Sequence, residues 1–178
     1  MIFQQYILLA GGQEDSREQP VSKRAACQDQ CPDGWTYFRG SCYLFVDNMS
    51  LDWTEAIHHC SIHHGQLATI ETKAEDLFIQ DMAKRLFRNF SDRMKTFSSF
   101  WLGASDSTVE GLWTWYTDDS DLMYTNWSPG QPDSHLGVDE DCLVLFGPHN
   151  YTWDDASCTM RKHHPLCEID LTQEEIFG

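Results

Sequence analysis

The chain has 178 residues and a formal net charge of −16, with 28 acidic residues against 12 lysines and arginines. Nucleic acid and anionic membranes carry the same sign of charge, which argues against both as partners. With 41% hydrophobic and 13% aromatic residues, the composition is that of a folded domain rather than a disordered chain.

The N-terminal residues predict a segment outside the folded domain. Residues 1–12 are compatible with a short signal peptide, although Gln4 and Gln5 interrupt the apolar run and no basic residue precedes it. The polar residues that follow are typical of a linker. No segment approaches the roughly 20 apolar residues of a membrane-spanning helix. We therefore expect an N-terminal signal peptide or linker (residues 1–26), one domain (residues 27–170) and a C-terminal tail (residues 171–178).

A β-hairpin and a first helix are predicted next. Residues 31–45 alternate apolar and polar side chains around Arg39-Gly40, which is typical of a hairpin. Residues 50–65 predict a helix that is capped by Ser50 or Asp52 and stopped by Gly65. Its inward face is defined by four residues at helical spacing: Trp53, Ala56, Ile57 and Cys60.

A second helix and five short strands complete the predicted elements. Thr72 and Glu75 form a capping box at the start of the helix. Its apolar stripe consists of Ile79, Met82, Ala83, Leu86 and Phe90. Strands are predicted at residues 98–105, 111–117, 142–146, 150–157 and 164–169, with their tryptophans in the core. A loop of about 25 residues precedes Asp141, and so long a loop is usually functional or disordered. The fold class is α+β.

Cysteine usage indicates an oxidising compartment. The seven cysteines are Cys27, Cys31, Cys42, Cys60, Cys142, Cys158 and Cys167. Because they lack the C-x-x-C spacing of zinc sites, we interpret them as a disulfide framework with one thiol left over. Four glycosylation sequons agree with secretion: Asn48, Asn89, Asn126 and Asn150.

Seven landmarks along the chain resemble the C-type lectin domain family. They are CPDGW (31–35), the helix with Cys60, FWLGASD (100–106), NWSPGQPD (126–133), EDC (140–142), WDD (153–155) and Cys167. The resemblance, over residues 31–169, implies two helices with short antiparallel strands and a long calcium-binding loop. It also implies the disulfides Cys31–Cys42, Cys60–Cys167 and Cys142–Cys158. Cys27 remains, and we expect it to bridge two chains in a disulfide-linked homodimer.

The long loop carries the residue types that a calcium ion requires. Calcium takes six to eight oxygen ligands from carboxylates, amides and backbone carbonyls. Pro132 between two candidate ligands predicts a cis peptide bond, which costs only about 0.5–1 kcal/mol and turns both neighbours toward one point. By resemblance, the sugar-binding calcium is held by Gln131, Asp133, Glu140, Asp154 and Asp155.

The order of Gln131, Pro132 and Asp133 is similar to that of galactose-type members, whereas mannose-type members reverse the acid and the amide. Two features depart from the family pattern. Asp154 stands where the family usually has Asn, which removes an N–H donor to the sugar. No aromatic residue directly follows Asp133, so His135 or Tyr151 is the candidate for stacking on the sugar. The expected sugar contacts are Gln131, Asp133, Glu140, Asp154 and His135.

A second, auxiliary calcium site is suggested by the same resemblance. Its expected ligands are Asp106, Glu110, Glu140 and Asp141. Ser134 occupies a position where an acidic ligand is usual, which weakens the expectation.

The histidines offer an alternative chemistry. Within HHCSIHH (58–64), His59 and His63 are one helical turn apart and could share a zinc ion, although a solvated helix face is the reading we favour. No general-base glutamate lies between them, so a hydrolytic metalloenzyme finds little support and we predict no enzyme activity. His163 and His164 are interpreted as surface residues.

The sequence therefore predicts a secreted, extracellular lectin that depends on calcium. Its expected partners are glycans ending in galactose or N-acetylgalactosamine, with a role in microbial recognition by innate immunity. The alternative is a module of the same fold that binds protein or mineral surfaces without sugar, because fold does not fix function.

Overall fold

The computed structural model describes residues 31–89, 98–134 and 139–172. In chain order, its elements are β1 (Thr36–Phe38), β2 (Ser41–Phe45), α1 (Trp53–Ile62), β3 (Gln66–Leu67), α2 (Lys73–Leu86), β4 (Phe100–Ser105), β5 (Thr114–Trp115), β6 (Cys142–Phe146), a 3₁₀ turn (Gly147–His149), β7 (Thr152–Ala156) and β8 (His164–Asp170). The predicted α+β class, with two helices and short strands, is confirmed. Within the described ranges, no helix has the length and apolar character needed to cross a membrane.

The predicted hairpin is formed by β1 and β2. The strands pair antiparallel up to Phe38 and Ser41, which leaves Arg39 and Gly40 as a two-residue turn. Both turn residues have positive φ, 48° and 102°. This backbone suits the right-handed twist of a hairpin and is easiest for glycine.

Both helices begin with a reciprocal capping box. At α1, Asp52 Oδ1 accepts from the Glu55 backbone N–H (2.8 Å), and Glu55 Oε2 accepts from the Asp52 N–H (3.1 Å). Asp52 rather than Ser50 is therefore the cap. Thr72 and Glu75 exchange the corresponding bonds at α2, as predicted.

The end of α1 differs from the prediction that Gly65 stops the helix. The helix ends at Ile62, and the left-handed residue is His64, with φ 61°. Gly65 has another role, because a Cβ there would lie 2.7 Å from the backbone oxygen of Glu168 in β8. Glycine is thus required for close approach of the chain to the sheet.

The buried face of α2 is rotated relative to the predicted apolar stripe. Ile79 and Ala83 are fully buried, but Leu86 is 41% exposed and Phe87 is buried in its place. Phe90 lies outside the described residues. The buried face begins at Asp76, a polar residue that apolar periodicity alone could not select.

The sheet has the order β1-β2-β8-β4-β6-β7, with β3 added to β8 and β5 to β4. The strand pairs are antiparallel except for β4 and β8, which run parallel through Phe100–His164 and Trp101–Pro165. The expectation of antiparallel strands is therefore corrected at this one pair. The reason is that β7 points the same way as β4, because each pairs antiparallel with β6, and residues 157–163 then carry the chain back so that β8 starts in that same direction.

Three disulfides tie these elements together. They are Cys31–Cys42, Cys60–Cys167 and Cys142–Cys158, so the pairings implied by the family resemblance are confirmed. Cys27 lies outside the described residues, and its bridge to a second chain stays a prediction.

The adjacent His163 and His164 are not surface residues. Each is 7% exposed. The His163 ring packs edge-on against Trp101 at 4.6 Å, and burial lowers the pKa of His163 to about 4. His164 Nδ1 contacts the backbone carbonyl of Met49. Both residues lie where the chain enters the sheet, which explains their burial.

A buried carboxylate connects α2, the long loop and β7. Asp76 is 1% exposed. Its Oδ2 accepts hydrogen bonds from Gln80, Tyr124 and Asn126, and its Oδ1 accepts from the indole N–H of Trp153 at 3.0 Å. Burial raises the pKa of Asp76, while these four donors partly offset the effect. Four donors satisfy this group in the core, where an unpaired carboxylate would be strongly destabilising.

This contact predicts which sequons carry glycans. The Asn126 side-chain N–H₂ donates to Asp76 at 2.8 Å, so a glycan on that nitrogen would disrupt the buried hydrogen bonds. Asn150, by contrast, is exposed on the turn before β7. When the protein is made in a secretory host, we expect glycopeptide mass spectrometry to find Asn126 unmodified and Asn150 available. Stoichiometric glycan at Asn126 would contradict the prediction.

Candidate calcium and sugar site

The site lies where β6, β7 and the long loop meet. In the β6–β7 pair, Asp155 lies opposite Leu143 and Asp154 opposite Val144. The loop is held along β7 by two backbone bonds, from Trp153 N to Asn126 O (2.9 Å) and from Ser128 N to Trp153 O (2.7 Å). The loop residues that follow are thereby carried past the two aspartates.

Three of the predicted ligands converge at one point. Asp133, Glu140 and Asp155 each place a carboxylate oxygen within 4.8 Å of the others. Across residues 31–89, 98–134 and 139–172, they form the single group of three or more His, Cys, Asp or Glu side chains that is this tight. Three ionised carboxylates at such distances repel one another, so a cation between them would stabilise the arrangement.

Asp155 closes the loop and still has one oxygen available. Its Oδ2 accepts from the backbone N–H groups of Asp133 (3.0 Å) and Ser134 (2.8 Å). Its Oδ1 is buried and has no hydrogen-bond partner among the described residues, and the same holds for Gln131 Oε1. The Gln131–Pro132 peptide bond is cis, as predicted. Unpaired buried acceptors are rare in proteins. Together, the Gln131 amide oxygen and the three carboxylates form a ligand set that fits calcium.

Asp154 has a partner that the sequence did not reveal. Its Oδ1 contacts His149 Nδ1 at 3.1 Å, and its side chain is only 8% exposed. Burial raises the pKa of Asp154, and the hydrogen bond with His149 acts in the opposite direction. The contact arises because the 3₁₀ turn folds His149 back over β7. In the sequence, only the short gap between two predicted strands indicates that a turn lies there.

A shallow depression adjoins the gathered ligands. Its lining residues are Gln131, Glu140, Val144, Phe146, Asp154, Asp155, Ala156, Arg161 and His163. Four of the five predicted ligands are among them. Phe146 and Arg161 were not predicted, because one ends a strand and the other lies in the crossover before β8.

The two candidates for stacking on a sugar have different outcomes. His135 lies outside the described residues, so its role stays a prediction. Tyr151 is wrong as a candidate, because it is 4% exposed and its ring belongs to the core. Its hydroxyl donates to Ser98 Oγ at 3.1 Å, which holds the ring inside.

The residues of the predicted auxiliary calcium site are neighbours. The Asp106 N–H donates to the Asp141 carbonyl at 3.2 Å. The two carboxylate oxygens of Asp106 differ: Oδ2 accepts from the Gly111 N–H at 2.8 Å, whereas the buried Oδ1 has no partner among the described residues. Burial, with the nearby charges of Glu110 and Asp141, raises the pKa of Asp106. Glu110 Oε1 instead accepts from Ser134 Oγ at 3.1 Å. The described side chains do not gather here as tightly as around Asp155, and this second site stays a prediction.

The histidine cluster lies on α1 and in the two residues that follow its end at Ile62. The His59 and His63 rings are 4.9 Å apart, centroid to centroid. Burial, followed by the neighbouring His63, lowers the pKa of His59. His58, His63 and His64 are exposed, in agreement with a solvated helix face.

Comparisons with known proteins agree with the fold. Residues 49–169 match the Lectin C-type domain family. Perlucin from Haliotis laevigata is 40% identical over 139 residues, which cover 78% of this chain and 82% of perlucin. The galactose-specific lectin nattectin from Thalassophryne nattereri is 31% identical over 151 residues, covering 85% of this chain and 86% of nattectin. Among solved structures, a calcium-independent type II antifreeze protein superposes with a TM-score of 0.62 at 27% identity, covering 79% of this chain and 94% of that protein.

Proposed function

The chain belongs to the C-type lectin domain family, and on this basis we propose that it binds glycans through a calcium ion. The observation that carries the proposal is the convergence of Asp133, Glu140 and Asp155 within 4.8 Å. The unpaired buried oxygen of Gln131 adds one further acceptor, and one oxygen of Asp155 itself has no hydrogen-bond partner among the described residues. Since the fold also occurs in a calcium-independent protein, it is this donor set, rather than the fold, that supports calcium.

The ligands of the proposed calcium are Gln131, Asp133, Glu140, Asp154 and Asp155. When bound, calcium neutralises part of their charge and offers coordination positions to two neighbouring sugar hydroxyls. The chain's own groups orient the sugar, because carboxylate oxygens accept from its hydroxyls and the Gln131 amide donates to them. No bond is made or broken, so the proposed activity is binding rather than catalysis.

We propose galactose or N-acetylgalactosamine as the recognised terminal sugar. The order Gln131-Pro132-Asp133 resembles that of galactose-type family members, and one relative carries the name galactose-specific lectin. A column of immobilised lactose tests the proposal. We expect the protein to be retained in calcium and released by a chelator, whereas passage through the column in calcium would contradict galactose binding.

The order of the amide and the acid predicts a change in sugar preference. Replacing Gln131 by Glu together with Asp133 by Asn preserves the net charge but moves the N–H₂ donor to the other side of the sugar. We therefore expect the double variant to prefer mannose-type over galactose-type glycans on a glycan array in calcium. An unchanged ranking would show that neither residue contacts the sugar directly. The single Gln131→Glu variant serves as the control, because it removes the donor without placing it elsewhere.

Three disulfides agree with secretion into an oxidising compartment. We propose an extracellular protein that recognises microbial glycans in innate immunity. A second candidate is binding to protein or mineral surfaces without sugar, which the net charge of −16 favours. The lactose column separates the two, because a surface-binding module would not be retained by the sugar.

A further inference from the structure

The depression beside the proposed calcium is rich in hydrogen-bond acceptors and poor in donors. The carboxylates of Glu140, Asp154 and Asp155 line it, and ionised carboxylates only accept. The Gln131 amide is one lining donor. A hydroxyl has one hydrogen and two lone pairs, so a hydroxyl whose oxygen coordinates calcium can give its hydrogen to a carboxylate and still accept one bond. Two such hydroxyls can therefore accept from two donors of the protein.

Asp154 cannot supply the second donor. A carboxylate has no N–H, and one of its oxygens already contacts His149 at 3.1 Å. His149 does not line the depression. His163 does line it, but this residue is 7% exposed and its ring packs against Trp101.

Arg161 is placed to supply that donor. It lies in the crossover between β7 and β8 and lines the depression together with Gln131 and Asp154. Two contacts fix the ends of this crossover: the Cys142–Cys158 disulfide and the bridge between Leu51 and His163.

The charge of Arg161 is available to a ligand. The residue is exposed, and no carboxylate in the described part of the chain forms an ion pair with it. The next residue is different, because Lys162 Nζ lies 3.4 Å from Glu55 Oε2. Lys162 thus offers a matched control with the same charge, one position along the chain, and with a partner of its own.

Building on the proposed function, we infer that Arg161 is a sugar-contacting residue and replaces the amide donor that Asp154 lacks. Its guanidinium donates to the sugar hydroxyl oxygen that the Gln131 amide does not serve. A hydrogen bond from a charged donor is stronger than one from a neutral amide. Arg161 then helps to decide which arrangement of hydroxyls the site accepts.

The test measures affinity for the methyl glycosides of galactose, N-acetylgalactosamine, mannose and N-acetylglucosamine by titration calorimetry in calcium. We compare the wild-type chain with Arg161→Met and the control Lys162→Met. For the sugar that the wild type binds best, we expect Arg161→Met to lose roughly ten-fold to 100-fold in affinity, the usual size of a charge-assisted hydrogen bond. Lys162→Met should bind as the wild type does. Calcium should raise the melting temperature equally in all three proteins.

A double variant separates a donor role from a structural one. Asp154→Asn restores an amide N–H₂ at position 154. We therefore expect it to raise the sugar affinity of Arg161→Met by more than it changes the sugar affinity of the wild-type chain. Wild-type affinity in Arg161→Met, loss of its calcium response, or strictly additive effects of the two substitutions would each overturn the inference. A wild-type chain that binds none of the four glycosides would instead overturn the proposed function, on which the inference rests.

Discussion

Replacing Asp155 by alanine is expected to abolish the stabilisation of the domain by calcium. Anything that binds only the folded state stabilises it by mass action, by about 2.7 kcal/mol at a concentration 100 times the dissociation constant. For a domain of this size, that corresponds to a rise of roughly 5–10 °C in melting temperature. Asp155 belongs to the tight group of three carboxylates and carries a buried oxygen without a partner. Its removal should leave calcium with too few ligands to bind.

The measurement is thermal unfolding with and without millimolar calcium. Asp155 Oδ2 also accepts two backbone N–H groups of the loop, so alanine should lower the melting temperature in chelator as well. Asp155→Asn keeps an acceptor for those bonds and removes the charge. We expect it to lose most of the rise in melting temperature that calcium causes. In chelator, its melting temperature should fall by less than that of Asp155→Ala. The exposed Asp47 provides a control, because Asp47→Ala removes one carboxylate away from the site. A full calcium response in Asp155→Ala, or none in the wild type, would contradict the calcium site.

Replacing Asp76 by alanine is expected to cause a large loss of stability. The change removes the acceptor for four donors, including the Trp153 indole and the Asn126 amide. A buried donor left unpaired costs about 1–3 kcal/mol. We therefore expect the free energy of unfolding to fall by about 3–5 kcal/mol, a large part of the 5–15 kcal/mol typical of a domain.

Urea denaturation measures this loss, and the same helix provides the control. Asp81 is exposed and pairs with Arg85 at 2.7 Å, so Asp81→Ala should change stability by less than about 1 kcal/mol. Because Asp76 also holds Asn126 and Trp153, the calcium affinity of Asp76→Ala should fall although no proposed ligand has changed. A loss of less than 1 kcal/mol with unchanged calcium affinity would show that the buried network is dispensable.

Local chemistry allowed much of the fold to be predicted. The hairpin around Arg39-Gly40 and the capping boxes at Asp52 and Thr72 depend on residues within a few positions of each other, and the structure contains all three. The disulfide pairings came from the family resemblance and not from spacing, since six cysteines allow 15 connectivities. The tight group of three carboxylates was likewise expected from the order of landmarks.

Contacts between distant residues account for what the sequence did not reveal. The bond from Trp153 to Asp76 joins residues 77 positions apart, and no local pattern marks Asp76 as the acceptor. Gly65 was predicted to end a helix. Glycine is needed there because the backbone of β8, about 100 residues later in the chain, packs too closely for a side chain. Tyr151 was a candidate for stacking on the sugar, but its ring is buried in the core. Its burial follows from packing against segments that precede it by some 50 residues.

The order of strands determines how the sugar site is presented when the domain is attached to something else. Cys31 is bridged to Cys42 in β2, Asp170 pairs with Ser41, and the Leu171 N–H donates to the Gly40 carbonyl at 2.9 Å. Both ends of the described domain therefore leave from the β1–β2 edge, while Asp154 and Asp155 lie on β7 at the opposite edge. A tether at either end would therefore lie at the edge of the sheet farthest from the site. Several copies tethered side by side could engage a glycan-covered surface together, and such multivalent attachment strengthens weak single-site binding by roughly 10²–10⁴.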